Sequence, residues 1–207
     1  MKPAKLIVFA ASLGLRIVAA GAQDATPAHQ GESANLVESG QISVDGKSTP
    51  YTIQHLPVSS FPTLPDAIQD QLFLRGCLIP QTYEAHRPEN VVHASLKGRG
   101  TSDWAVLCSV KGAVSLMVFF DDGARSPVVL ASAPETERLQ LHDPTGVLGF
   151  NWGIDPASPK QVREAQAGME HRPPSLDHDA LADTLVDHHT IYHFYLRNVW
   201  VLLDTQD

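Results

Sequence analysis

The sequence predicts an α+β protein: a mostly antiparallel sheet flanked by about three helices, with one disulfide. Three observations predict this class. Short runs rich in β-branched and aromatic residues are joined by loops too short for parallel crossovers, which need a dozen or more residues. Residues 103–110 and 113–120 are apolar on both faces, as strands covered on both sides are. Three further segments carry helix start and stop signals.

The elements follow in chain order. Lys2 and Lys5, an apolar run over 6–15 and Ala20-Gly21-Ala22 have the layout of a secretory signal peptide over residues 1–22. The run is well short of the roughly 20 apolar residues a membrane span needs. Residues 23–35 are polar and small and read as a flexible tail, leaving 36–207 as a single α+β domain. Ile42 and Val44, the Asp45-Gly46 turn signal, then Tyr51 and Ile53 predict a hairpin with a loop of several residues. Pro65 suits the first position of a helix, Ile68, Leu72 and Leu74 give its apolar face, and Gly76 ends it. Residues 80–90 read as a loop.

A strand from Val91, the 97–100 turn, the 103–110 strand, the Lys111-Gly112 tight turn and the 113–120 strand form the clearest stretch. Trp104, Val106, Cys108 and Val110 share one face of the second strand, Ala105 and Leu107 the other. Shorter strands fit 128–130, 139–141 and 147–152. Ser158-Pro159-Lys160-Gln161 is a capping-box start for a helix ending near Gly168. A third helix fits 175–187, with Leu181, Ala182, Leu185 and Val186 on one face. Residues 190–196 and 199–203 close the chain as a hairpin around Arg197-Asn198.

Composition narrows the function classes. The 207 residues hold 23 acidic and 15 basic side chains, a net charge of −8. Loss of Lys2, Lys5 and Arg16 with a leader would take the charge to −11 over 185 residues. That balance argues against nucleic acid and against an anionic membrane surface as partners. Export to the periplasm or the medium makes a Cys77–Cys108 disulfide the expected state of the two cysteines, with two buried thiols as the alternative.

The sequence holds no nucleophile elbow, H-E-x-x-H, P-loop or dinucleotide fingerprint, so it assigns no catalytic residue. The densest set of chemistry-bearing residues lies between His171 and His193. His178, His188 and His189 with Asp179, Asp183 and Asp187 offer ligand types suited to a divalent metal. On the expected helix, the three aspartates form an i, i+4, i+8 stripe costing a few tenths of a kcal/mol per pair, which a cation would offset. A solvated acidic face is the alternative. His189 and His193 would be about 13 Å apart on a strand, too far for one ion.

Gly98, Gly100 and Asp103 stand as G-x-G-x-x-D before an apolar strand, and residues 90–108 resemble a single FG-GAP-type repeat. That family's calcium-binding versions carry several acidic residues in the turn. Here Lys97, Arg99 and Thr101 occupy those places, and Asp103 reads as a turn carboxylate accepting backbone N–H bonds. The G-C-x-I-P-Q segment at 76–81, the D-W-A-V-L-C-S strand and the aromatic C-terminal hairpin together resemble small exported bacterial proteins that carry no assigned activity. The resemblance implies a fold and a compartment, and no catalytic residues. Two functional expectations follow. The first is an exported non-catalytic domain that binds a small ligand or a protein and needs no cofactor. The second is a metal-dependent hydrolase or metal binder using the His171–His193 cluster.

Overall fold

A computed structural model describes residues 36–204, apart from 124–125, 143, 168 and 170–171. The leader, the tail and His171 therefore lie outside the described residues. Nine strands form one sheet: β1 (Leu36–Val44), β2 (Lys47–Pro57), β3 (Leu78–Gln81), β4 (Val91–Ala94), β5 (Asp103–Val110), β6 (Ala113–Phe119), β7 (Val128–Pro134), β8 (Leu139–Leu141) and β9 (Leu148–Phe150). Its order is β7-β6-β5-β3-β2-β9-β8, with β1 on β2 and β4 on β5. A second sheet runs β10 (Trp152–Ala157), β11 (Ala180–Leu185), β12 (His189–Leu196), β13 (Val199–Asp204). Every pairing is antiparallel except the short β2–β9 contact at Tyr51 and Thr52.

The α+β expectation is thus corrected to a mostly-β fold with two α-helices among the described residues, α1 (Asp66–Leu74) and α2 (Pro159–Ala165). The expected third helix at 175–187 is where the reading fails. Its core is the strand β11, in which Ala180, Leu181, Ala182 and Asp183 are all buried. A strand between two neighbours and covered on both faces has apolar residues at consecutive positions, and over a few residues that pattern mimics a helical face. The tertiary pairing with β10 and β12 decides the outcome.

Period-two alternation distributes the core into layers. Ile53, Val92, Ala105, Leu107, Val114, Leu116 and Val118 of the large sheet meet Trp152, Ile154 and Leu181 of the small one. On the opposite face of the large sheet, Trp104, Val106, Cys108, Met117 and Phe119 meet Ile68 and Leu72 of α1. On the outer face of the small sheet, Ala180, Ala182, Phe194 and Leu203 meet Val162 of α2. The expected faces of the 103–110 strand hold, and its double cover is a helix on one side and a sheet on the other. Leu74, expected on the apolar face of the first helix, is instead exposed.

Local chemistry sets the connections. Three hairpins turn on two residues of positive φ, Asp45-Gly46, Lys111-Gly112 and Arg197-Asn198, the geometry that matches strand twist. The first is tighter than the loop expected there. α1 ends on Gly76 at φ 69°, with Gly76 N–H donating to Phe73 and Cys77 N–H to Leu72. These are the two bonds of a Schellman ending. It aims Cys77 at β5, where the Cys77–Cys108 disulfide closes at a Cα separation of 5.4 Å. α2 starts with the expected capping box, Ser158 and Gln161 bonding reciprocally. Among the described residues no helix is long and apolar enough to cross a membrane.

Candidate functional site

The aspartates and histidines expected to share a metal are placed on separate partners. His178 uses both ring nitrogens, facing Asp177 at 2.8 Å and the Tyr195 carbonyl at 2.9 Å. Asp179 accepts from the Ser95 N–H at 3.1 Å, tying the strand entrance to the large sheet. Asp183 is buried between the sheets, where it accepts from Trp152 Nε1 at 2.5 Å and faces His193 Nε2 at 2.9 Å. Asp187 accepts from the Tyr83 hydroxyl at 2.7 Å. His188 is exposed in the turn before β12, and His189 opens that strand opposite Leu185. His189 and His193 do lie on one strand, as the aromatic and β-branched composition of the segment predicts.

Asp103 is a fully buried turn carboxylate. It accepts from the Lys97 N–H at 2.8 Å, the Asp121 N–H at 2.9 Å and the Thr101 hydroxyl. This is the structural role expected of it. Neighbouring Asp122 accepts from Ser102 Oγ and Trp104 Nε1, and these bonds hold its carboxyl below the ordinary range.

Where the two sheets meet, a cleft of about 400 Å³ opens. The segment between β3 and β4 supplies Thr82, Glu84, Glu89 and Asn90, the small sheet supplies Gly153, Ile154, Asp155 and Thr184, and the β11–β12 turn supplies Val186 and Asp187. Buried Asn90 fixes the sheets to each other: its amide donates to the Pro80 and Trp152 carbonyls and its oxygen accepts from the Ile154 N–H. Glu89 closes the segment, accepting from the Thr82 N–H while its own N–H donates to Gln81. Tyr83 stacks on His142 with ring centroids 4.6 Å apart, over Gly149, where a Cβ would lie 2.6 Å from the Tyr83 Cβ. Burial and the Asp187 bond raise the Tyr83 hydroxyl well above its ordinary range.

The cleft is strongly acidic. Asp155 is exposed as a residue, yet partial desolvation of its carboxyl, followed by the charge of Glu89, raises its pKa against the opposing pull of Arg87. Among the described residues no protein group donates a hydrogen bond to the carboxylates of Glu84 or Asp155. Their acceptor capacity is open to an incoming donor.

A second constellation lies at the β1–β2 end of the large sheet. Among the described residues only Glu38, His55 and Glu135 bring three His, Cys, Asp or Glu ligand atoms within 4.8 Å of one another. His55 and Glu135 are buried, 2.7 Å apart, while Glu38 is exposed. Burial raises the Glu135 carboxyl, but the His55 and Ser109 hydrogen bonds and the His55 charge outweigh it and leave the carboxyl lowered. The Tyr51 ring lies across Gly40, where a Cβ would be 2.6 Å from it, and so its hydroxyl reaches Glu38 at 3.1 Å.

Neither constellation was named from the sequence. Glu84, Glu89 and Asp155 fall in segments read as loop or strand end, and Glu38 and Glu135 are nearly a hundred positions apart. One signal was present: His55 continues the Tyr51, Ile53 period on the inward face of a strand, where an ionisable residue needs a partner. No family model, no curated protein and no solved structure matches this chain.

Proposed function

We propose that this chain is an exported binding domain whose cleft takes a small cationic ligand, an organic amine. The observation that carries the reading is the lining of the cleft. Glu84, Glu89, Asp155 and Asp187 surround about 400 Å³ of space, with the Thr82 and Thr184 side chains beside them. That size falls within the range of small-molecule sites. An ammonium group would donate to the open carboxylates of Glu84 and Asp155 and offset the repulsion between Asp155 and Glu89. Asn90 and Glu89 hold the walls by backbone bonds, so the site is ordered before a ligand arrives. Export is supported by the leader pattern of residues 1–22 and by the disulfide, which persists in oxidising compartments.

Calorimetric titration of the purified chain with spermidine tests the reading, with succinate as an anionic control. Binding of spermidine, no binding of succinate, and at least tenfold weaker binding by the Glu84→Gln, Asp155→Asn double variant are expected. Absence of spermidine binding at millimolar concentration, or equal binding by the double variant, would overturn it.

A further inference from the structure

We infer that Glu38, His55 and Glu135 form a binding site for a divalent first-row transition-metal ion, independent of the acidic cleft. One imidazole nitrogen with two carboxylate oxygens is a donor set that such ions take, whereas calcium and magnesium select oxygen alone. The side chains come from different elements: Glu38 from β1, His55 from β2, and Glu135 from the single 3-10 turn that follows β7. Sheet register brings the first two together. Leu36 pairs with His55 and Glu38 with Ile53, so Glu38 and His55 are diagonal neighbours on the inward face.

The distances suit an ion. Around a tetrahedral zinc at about 2.0–2.2 Å from each ligand, donor atoms stand about 3.4 Å apart. His55 Nε2 and Glu135 Oε1 are 2.7 Å apart in a hydrogen bond, and Glu38 lies within 4.8 Å of both. An entering ion replaces the proton between His55 and Glu135, spreading that pair. Glu38, the exposed member, would complete the set from the solvent side. Two ligands are thereby fixed by burial and the third is open to solvent, which supplies an entry path.

Tyr51 hydrogen-bonds Glu38, as an outer partner of a ligating carboxylate does. The Tyr51 contact depends on Gly40, because any side chain there would displace the ring. Three protein ligands leave one position of a tetrahedral ion for water or an exogenous donor. The same feature separates this set from the His178–His189 region, where each carboxylate and the buried imidazoles are engaged by different neighbours.

The test is zinc titration of the full chain after dialysis against chelator, read by calorimetry, with cobalt absorption as a report of coordination. One equivalent of zinc is expected. Glu38→Gln, at an exposed position that leaves the fold intact, should weaken binding at least tenfold. His55→Asn should abolish it, with folding checked by circular dichroism. Tyr51→Phe should weaken it by a smaller factor, and cobalt should show visible bands of low-symmetry nitrogen and oxygen ligation. No bound zinc at millimolar concentration would overturn the inference. So would binding that Glu38→Gln leaves unchanged, or binding that is lost in a His188→Ala, His189→Ala variant and kept in Glu38→Gln. Spermidine binding by Glu38→Gln remains as in the parent chain, so failure here and failure of the cleft reading are distinguishable.

Discussion

Asp103→Asn is the sharpest perturbation of this fold. Asp103 is fully buried, and its Oδ1 accepts the Asp121 N–H while Oδ2 accepts the Lys97 N–H and the Thr101 hydroxyl. The amide is nearly isosteric, so no cavity opens. Its single oxygen can serve one of the two backbone donors, and its NH₂ is set against the other. The Thr101 hydroxyl can turn and accept. One partly buried N–H is left unpaired, at about 1–3 kcal/mol, and the surviving bond loses its charge assistance, about 1 kcal/mol more. The expected loss is about 2–4 kcal/mol, a large part of a total stability of about 5–15 kcal/mol. For a domain of this size the melting point should fall by roughly 5–15 °C. Urea unfolding followed by tryptophan fluorescence reads it, since Trp104 adjoins the site. Asp45→Asn, in an exposed turn, is the control and should change stability by less than about 0.5 kcal/mol. An Asp103→Asn variant as stable as the parent would refute the argument that this carboxylate organises the 97–103 and 120–123 turns.

Three other outcomes follow from the same geometry. Thiol titration of the unfolded, unreduced chain should find no free cysteine, and the Cys77→Ala, Cys108→Ala variant should lose about 3–4 kcal/mol for a crosslink spanning 31 residues; a loss under 1 kcal/mol would remove its role as a staple. Asp155 has a raised pKa in the fold, so the stability it contributes is full below its unfolded value and is lost as pH rises through the folded value. Asp155→Asn should therefore gain stability over the parent at pH 7 relative to pH 3, in urea midpoints measured at both; a constant difference would contradict the assignment. Gly149→Ala sets a methyl 2.6 Å from the Tyr83 Cβ and 2.8 Å from the His142 ring, and should cost about 1–3 kcal/mol with a perturbed tyrosine spectrum; a neutral result would show that the stack gives way freely.

The strands and turns were legible because their signals are local. The β5–β6 hairpin follows from double-sided apolar runs around Lys111-Gly112, and α2 from its capping box. The disulfide followed from the expected compartment and the count of two cysteines. What local reading missed is tertiary. β11 carries Leu181, Ala182 and Leu185 at spacings shared by a helical face and a doubly covered strand, and only its neighbours select between them. The supposed metal stripe fell with the helix: in an extended chain, positions four apart are about 13 Å from each other. The two sites the fold does assemble draw on residues far apart in sequence, as Glu38 and Glu135 do, and no spacing rule connects them.

The aspartates and glutamates divide by what they accept. Asp103, Asp179 and Glu89 take backbone N–H groups, Asp122 and Asp183 take indole N–H groups, and Asp187 takes a phenol. These carboxylates fix turns and hold the sheets together, so part of their acceptor capacity is taken up by the fold itself. Among the described residues Glu84 and Asp155 have no such donor, and they stand together in a cleft whose walls are already braced by Asn90 and Glu89. Glu38 is the intermediate case, held by a single tyrosine hydroxyl beside a buried His–Glu pair. An excess of negative charge spread evenly over a surface serves solubility alone. Here carboxylates also stand together at two built positions, one wide enough for an organic amine and one narrow enough for a single ion. That difference in size, more than the shared sign of charge, is why the two sites call for different ligands and why Glu38→Gln and Asp155→Asn should each affect one and spare the other.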